Sequence, residues 1–382
     1  MKIAIVNLSR GGMSGGYRKY LQNVIPRMAA HPDVEAILCA SPASLKVHDW
    51  FELLTNVNFI DCKPYQLFGF RTDSELNQNL KKFSPDVVFV PTERFFRFNG
   101  VPVVNMIQNM EPFVSGIENN PFSERFKIWV QRIDAKKSIL RSYRVIAISD
   151  FVRGFLIQQL NIPDDKIGLV YHGIDILGNK NFQRPASLPE DIEGQFLFTA
   201  GSVRPARGIE DALYALSYLK NECSNIKLVI TGETSPGMKK YRKSLESLIE
   251  MHNLRYRVFW TESLNEKEMG WCLQNCLAFV MTSRVESFGM IAGEAMAHGC
   301  ICIAADNPCL PEIFSDAAIY YPPKDYKALA NAIQTVISWD KNQRNEASQR
   351  ARKRTAQFSW DITAEKTVSE LVKAVQGFRS NK

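Results

Sequence analysis

Two carboxylates, Glu286 and Glu294, stand in one block of the sequence, Glu286-Ser287-Phe288-Gly289-Met290-Ile291-Ala292-Gly293-Glu294. The block follows the apolar run 277–282. Taken as strand, loop and helix, it puts Glu286 at a strand end and Glu294 inside the next helix, about two turns on. Carboxylate oxygens at such a mouth accept hydrogen bonds from sugar hydroxyls. Glu294, set among small apolar residues, is costly to bury without a partner. Phe288, Gly289 and Met290 fall at the helix start, where main-chain N–H groups lack intrahelical acceptors and bind hydroxyls or phosphate. The plain alternative is a surface position for either carboxylate.

A second cluster is Gly201-Ser202-Val203-Arg204-Pro205-Ala206-Arg207-Gly208. Arg204 and Arg207 suit a diphosphate, because guanidinium groups fork onto phosphate oxygens and the flanking glycines let the main chain come near. Fixed cations also neutralise a leaving diphosphate without a metal. The third cluster is Ser9-Arg10-Gly11-Gly12-Met13-Ser14-Gly15-Gly16-Tyr17. Its glycines allow close backbone approach, and the helix expected near 17–28 offers N–H groups to an anion. The spacing is not G-x-G-x-x-G, and no acidic residue is placed for a dinucleotide ribose. Alone, these two clusters also read as a solvated basic loop and a flexible turn.

Positioning such loops requires strands that end together. Short apolar runs at 3–6, 34–39, 87–90, 103–107, 145–148 and 167–170 read as buried strands. So do those at 196–200, 227–231, 257–260, 277–282 and 300–304. Their β-branched content, with helical patterns between them, indicates βαβ units on parallel sheets. The expected class is α/β, with two Rossmann-like domains facing a cleft. Ligands of parallel sheets collect at the carboxyl ends of the strands. The boundaries are expected at residues 1–178, a polar and breaker-rich linker at 179–194, a second domain at 195–357 and a terminal helical segment at 358–382.

Three features together carry a resemblance: Arg204 with Arg207, the 286–294 block, and Asn307-Pro308-Cys309-Leu310-Pro311-Glu312-Ile313. Gly15-Gly16, Tyr171-His172-Gly173-Ile174-Asp175 and Phe358-Ser359-Trp360 fit the same pattern, which spans nearly the whole chain. The chain resembles the retaining GT-B glycosyltransferases of family 4. The resemblance implies transfer of a sugar from a nucleoside-diphosphate donor to a hydroxyl of a glycan or lipid-linked glycan, with the anomeric configuration kept. It implies a donor-binding C-terminal domain and an acceptor-binding N-terminal one, with the terminal helix crossing back to the latter. Arg204 and Arg207 would grip the diphosphate, backed by Gly201 and Ser202. Glu294 would hold the ribose, and Glu286 with the amides near Phe288, Gly289 and Met290 would hold the donor sugar or its phosphate side. Gly15 and Gly16 would close over the phosphates. No cofactor and no metal are implied, and no DxD-type motif stands out. A cell-surface polysaccharide or lipopolysaccharide is the expected product class.

The chain departs from that family in places. Arg207 stands where lysine is usual. Gln108 or Asn109 stands where histidine is usual, and neither amide acts as a base near neutral pH. A glycine expected near Thr261 or Glu262 is absent. A sugar-nucleotide epimerase and a non-catalytic nucleotide-sugar-binding protein are the alternative functions.

Lys and Arg number 47 against 40 Asp and Glu, a net charge of +7. That mild surplus fits anionic ligands or an acidic membrane surface, and no basic-aromatic clustering calls for nucleic acid. In the stretch 124–144, Phe126, Trp129, Val130, Ile133 and Leu140 share a helical face among Arg125, Lys127, Arg132, Lys136, Lys137, Arg141 and Arg144. Such a helix either packs its apolar stripe on the sheet or lies on an anionic leaflet. No run is long enough to span a bilayer, and no signal peptide is recognisable. The eight scattered cysteines form no CxxC pair. A cytoplasmic protein with reduced thiols, peripheral at the inner membrane face, is the expectation. His172 and His298, beside glycines, are expected to be structural or to support site residues from behind.

Overall fold

A computed structural model describes residues 1–8, 15–65, 73–114, 120–175, 181–192, 194, 196–220, 223 and 225–380. The chain divides into two compact units. One comprises Met1–Phe113, Lys127–Gly173 and Phe358–Lys382, the other Val114–Phe126 and Ile174–Gln357. Part of the expected linker, at 179, 180 and 193, lies outside the described residues, while Leu188 and Ile192 within it are buried.

The first unit begins with β1 (Lys2–Val6), α1 (Gly15–Ala29), β2 (Ala36–Pro42), β3 (Val57–Cys62) and α2 (Ser74–Phe83). It continues through β4 (Val87–Val90), β5 (Val103–Ile107), α3 (Phe122–Arg141, which the first unit holds from Lys127 on), β6 (Arg144–Ala147), α4 (Asp150–Leu160) and β7 (Ile167–Leu169). Among the described residues these strands pair in parallel in the order β3-β2-β1-β4-β5-β6-β7. Ile3 of β1 faces Ile37 on one side and Val87 on the other. Every residue of β4 is buried, as expected for a central strand covered on both faces. The edge strand β3 escapes the sequence pattern because Asn58 and Asp61 interrupt its apolar residues. In α1, Tyr17, Tyr20, Leu21, Val24, Ile25 and Met28 are buried at helical spacing, so this face packs inward.

The second unit contains β8 (Phe196–Ala200), α5 (Ile209–Tyr218), β9 (Lys227–Thr231), α6 (Lys239–Met251), β10 (Val258–Glu262) and α7 (Glu266–Asn275). There follow β11 (Ala278–Met281), α8 (Met290–Ala297), β12 (Cys302–Ala305), α9 (Cys309–Phe314), β13 (Ala318–Tyr321), α10 (Tyr326–Ser338) and α11 (Lys341–Thr355). Its described strands pair in parallel in the order β10-β9-β8-β11-β12-β13. The sequence pattern misses β13, another short edge strand. The arginines of α11 fasten neighbouring helix ends. Arg344 donates to Val336 O at 2.6 Å, Arg352 to His298 O at 3.0 Å, and Arg354 to Glu312 O and Ile313 O, both at 2.7 Å. Each places a cation where carbonyls lack intrahelical donors.

The last helix, α12 (Trp360–Ser380), belongs to the first unit and lies against α1. Arg27 Nε donates to Asp361 Oδ1 at 2.6 Å, and Thr363 Oγ1 donates to Tyr171 O at 2.8 Å. His172 sits between Tyr20 and Trp360, with ring centroids 5.1 and 5.9 Å away.

In both sheets the winding direction reverses once, between β1 and β4 and between β8 and β11. The chain segments that follow the two strands at such a reversal go to opposite faces of the sheet, so these two points are where ligands are sought.

Burial depresses the His172 pKa from 6.5 to about 3. The unfolded chain therefore takes up this proton at higher pH than the native one. Stability from neutral His172 is full above the unfolded value and is lost as pH falls through the window down to about 3. At pH 5 the loss amounts to about 2 kcal/mol. Thermal unfolding at pH 7 and pH 5 should show a smaller drop in Tm for His172→Gln than for the wild type.

Candidate active site

At the reversal in the second sheet, two loops meet. One leaves β8 through Gly201 and Ser202 to Arg204, whose extended backbone (φ −160°) leads into the short turn Pro205–Arg207. Gly208 then adopts φ +58° and begins α5. A Cβ on Gly208 would stand 2.3 Å from Thr282 O, so only glycine lets this loop meet the next one. The other loop leaves β11 through Thr282 and runs to Gly289, at φ +88°, which begins α8.

Four contacts join them. Arg284 N donates to Ala206 O at 2.8 Å, and Thr282 Oγ1 donates to Arg207 O at 2.7 Å. Arg207 Nη1 donates to Ser283 Oγ at 3.1 Å and forms an ion pair with Glu286. Both charged side chains are largely sheltered, Arg207 at 24% exposure and Glu286 at 15%. The buried Arg207 Nε has no partner among the described residues. The arrangement therefore holds a cation in a site that water only partly reaches, with donor capacity to spare for an anion.

The two helix starts reinforce this. Among the described residues, the N-cap positions of α5 and α8 are glycines that offer no capping side chain, whereas Asp73, Ser149 and Asn265 cap α2, α4 and α7. Glycine-capped helix ends leave amides and a positive dipole end for an anion. Glu294 is buried in α8 and Phe288 is buried beside the helix start, while Met290 is half-buried and Ser202 is exposed.

Thr261 and Glu262 close β10, where the register slips against β9. Glu262 adopts φ +53°. The left-handed backbone that a glycine would favour is thus present with a glutamate in place. It is held by Gly232 N and Thr231 Oγ1 donating to Glu262 O at 2.9 and 2.6 Å.

In the first unit, Gly15 and Gly16 open α1, and residues 9–14 of the glycine cluster lie outside the described residues. Gln108 Nε2 donates to Pro91 O at 2.9 Å, and Asn109 Oδ1 accepts from Glu111 N at 3.0 Å. Both amides therefore brace the loop after β5. Beyond β4 stands a carboxylate that the sequence pattern did not single out. Glu93 is buried, and desolvation raises its pKa against the pull of Arg94. Nearby, Tyr65 Oη donates to both oxygens of the fully buried Asp134, at 2.7 and 2.8 Å. The only sequence signal for Glu93 is a charged pair, Glu93-Arg94, just past a strand end.

A family model described as glycosyl transferases group 1 matches residues 181–354, and one described as glycosyltransferase family 4 matches residues 14–176. The chain belongs to the group 1, family 4 glycosyltransferases. This glycosyltransferase is 24% identical over 352 residues to the O-antigen chain mannosyltransferase RfbU of Salmonella typhimurium, covering 87% of this chain and 90% of that protein. It is 23% identical over 248 residues to the serotype-specific mannosyltransferase WbdA of Escherichia coli, covering 62% of this chain but 29% of WbdA. HepE from Anabaena, solved in complex with UDP-glucose, shares the fold with a TM-score of 0.73 at 18% identity, over 98% of this chain and 100% of that one. The expected GT-B class, two Rossmann-like domains with parallel sheets, is therefore the fold of this glycosyltransferase.

Of the residues expected at the site, Arg207 and Glu286 are in direct contact, and Gly201 lies against the Arg207 guanidinium. Gly15, Gly16, Gln108 and Asn109 belong to the other unit. The two readings of α3 are also separated. Its buried residues are Asp134, Ala135, Ser138 and Ile139. Phe126, Trp129, Ile133 and Leu140 are exposed, at 60%, 56%, 39% and 53%. The apolar stripe is thus largely exposed, with only Val130 half-buried, and the buried side of the helix mixes Ala135 and Ile139 with Asp134 and Ser138. No described helix of this glycosyltransferase is long and apolar enough to cross a membrane.

Gly208→Ala tests the closeness of the two loops. It puts a methyl into contact with Thr282 O and strains the left-handed backbone, for an expected cost of about 2–3 kcal/mol in urea unfolding.

Proposed function

We propose that this glycosyltransferase moves a hexosyl group from a nucleoside-diphosphate sugar to a hydroxyl of a glycan or lipid-linked glycan. Retention of configuration and synthesis of a cell-surface polysaccharide or lipopolysaccharide complete the proposal. The observation that carries it is the Arg207–Glu286 pair, set between two glycine-capped helix starts at the reversal of the second sheet. The names of RfbU and WbdA support a mannosyl donor and an O-antigen acceptor.

In this scheme Arg204 and Arg207 bind the donor diphosphate, and Glu294 accepts from the ribose hydroxyls. Glu286, with the amides of Phe288 and Gly289, holds the sugar. The diphosphate arrives at a guanidinium already paired with Glu286, so binding redistributes donors that are in place rather than recruiting a flexible lysine. As the glycosidic C–O bond to the diphosphate breaks, the acceptor oxygen attacks the same face, and its proton passes to a leaving phosphate oxygen. The arginines and helix amides stabilise the charge that develops on that phosphate. These groups do the electrostatic work without a metal.

Purified protein should release nucleoside diphosphate from its donor only when acceptor is present, and should continue to do so in EDTA. Conversion of the donor into a different sugar nucleotide in the absence of acceptor would indicate the epimerase chemistry instead. Arg204→Ala and Glu294→Ala should each lower transfer by at least about a hundredfold while circular dichroism remains native. Near-normal turnover by both would remove these residues from the site.

The exposed stripe of α3, flanked by Arg132 and Lys136 on one side and Lys137 and Arg141 on the other, fits the surface of an anionic bilayer, where the acceptor of a lipid-linked pathway resides. Sedimentation with phosphatidylglycerol vesicles should fall strongly when Lys136, Lys137 and Arg141 are replaced by serine. Undiminished sedimentation would reject α3 as the anchor.

A further inference from the structure

A buried ion pair that the proposed chemistry does not use lies directly behind the site. Asp211, in the first turn of α5, is 3% exposed. Arg284 grips both of its oxygens, Nη1 to Oδ2 at 2.5 Å and Nη2 to Oδ1 at 2.7 Å. Asp211 Oδ2 also accepts from Tyr321 Oη at 3.1 Å and from Lys324 N at 3.0 Å. Asp211 stands four residues after Arg207, and Arg284 two residues before Glu286. The guanidinium also fills the space that Gly208 leaves open, since a Cβ there would lie 2.9 Å from Arg284 Cζ.

We propose that Arg284 and Asp211 are the positioning pair of the donor site, fixing the loop that carries Glu286 against the loop that carries Arg207. A planar fork on a carboxylate defines both distance and angle, which a point charge does not. Tyr321 and Lys324 N anchor Asp211 to the end of β13, so the fork is referred to the sheet rather than to another loop. The main-chain bond from Arg284 N to Ala206 O passes the same constraint to the backbone. Neither side chain is assigned a contact with substrate. They act through the placement of Glu286, and an error of about 1 Å there lowers transfer by roughly a hundredfold. This function rests on the donor-site assignment above, but the loop coupling itself does not.

Removing one partner leaves an uncompensated buried charge, so Arg284→Gln and Asp211→Asn are both at risk of misfolding. Arg284→Lys keeps the charge and loses the fork, and is the informative variant. Hydrogen exchange on the ligand-free full chain gives the first readout. Amides at 201–208 and 284–290 should exchange at least about tenfold faster in Arg284→Lys, with those of the first unit unchanged. The second readout is acceptor-dependent turnover, in which kcat should fall about tenfold or more while donor KM stays within about threefold. Wild-type exchange in both loops, or a uniform rise across the chain, overturns the proposal. If the loops loosen as stated while Arg204→Ala and Glu294→Ala keep full turnover, the donor assignment fails and the coupling stands. If those two variants are inactive and Arg284→Lys exchanges like the wild type, the donor assignment stands and the positioning pair falls.

Discussion

Two parallel strands that are neighbours in the sheet but far apart in sequence, β8 and β11, send their following loops toward each other. Everything proposed for the site depends on those loops touching, and their contact is electrostatic at its centre. Arg207 and Glu286 come from different loops and are mutually satisfied in surroundings that water reaches only in part. Such a pair persists only if the backbones beneath it are held, because a sheltered charge without its partner is costly. The hydrogen bonds at Ala206 and Thr282, the missing side chain at Gly208 and the fork between Arg284 and Asp211 supply that hold.

The substitution of arginine for the usual lysine gains meaning in this setting. A lysine ammonium would offer a mobile point charge. The Arg207 guanidinium reaches Ser283 and Glu286 from one nitrogen and keeps others for an incoming anion. In the proposed reaction, the donor site is thereby assembled before the donor arrives. Such preorganisation lowers the reorganisation needed when charge develops on a leaving group.

Much of this was legible in the sequence, for definable reasons. Central strands such as β4 and β8 are buried on both faces and leave unbroken apolar runs, so both sheets could be outlined. The edge strands β3 and β13 could not, because half-exposed strands dilute that signal with Asn58, Asp61 and tyrosines. Glu286 and the arginines stood out because charged residues beside glycines at strand ends have few structural duties. Asp211 and Glu93 did not, since an acid in a first helical turn or after a strand resembles an ordinary cap or surface residue. Their surroundings are set by residues distant in sequence, Arg284 for one and Asp134 with the Gln108 main chain for the other. The orientation of α3 was undecidable from periodicity alone. Its buried side joins Ala135 and Ile139 to Ser138 and a tyrosine-bonded Asp134, a mixture that no hydrophobic pattern would select.

The position of α12 bears on how the protein is made. Trp360 closes over His172 and Tyr20, and Thr363 and Asp361 tie the same helix to the end of the sheet and to α1. During translation the first unit therefore waits with one face of α1 uncovered, while the whole of Ile174–Gln357 is synthesised. The later-made unit has all its parts before the earlier one does. Until α12 has been made, the surface of α1 that it covers stays open to water.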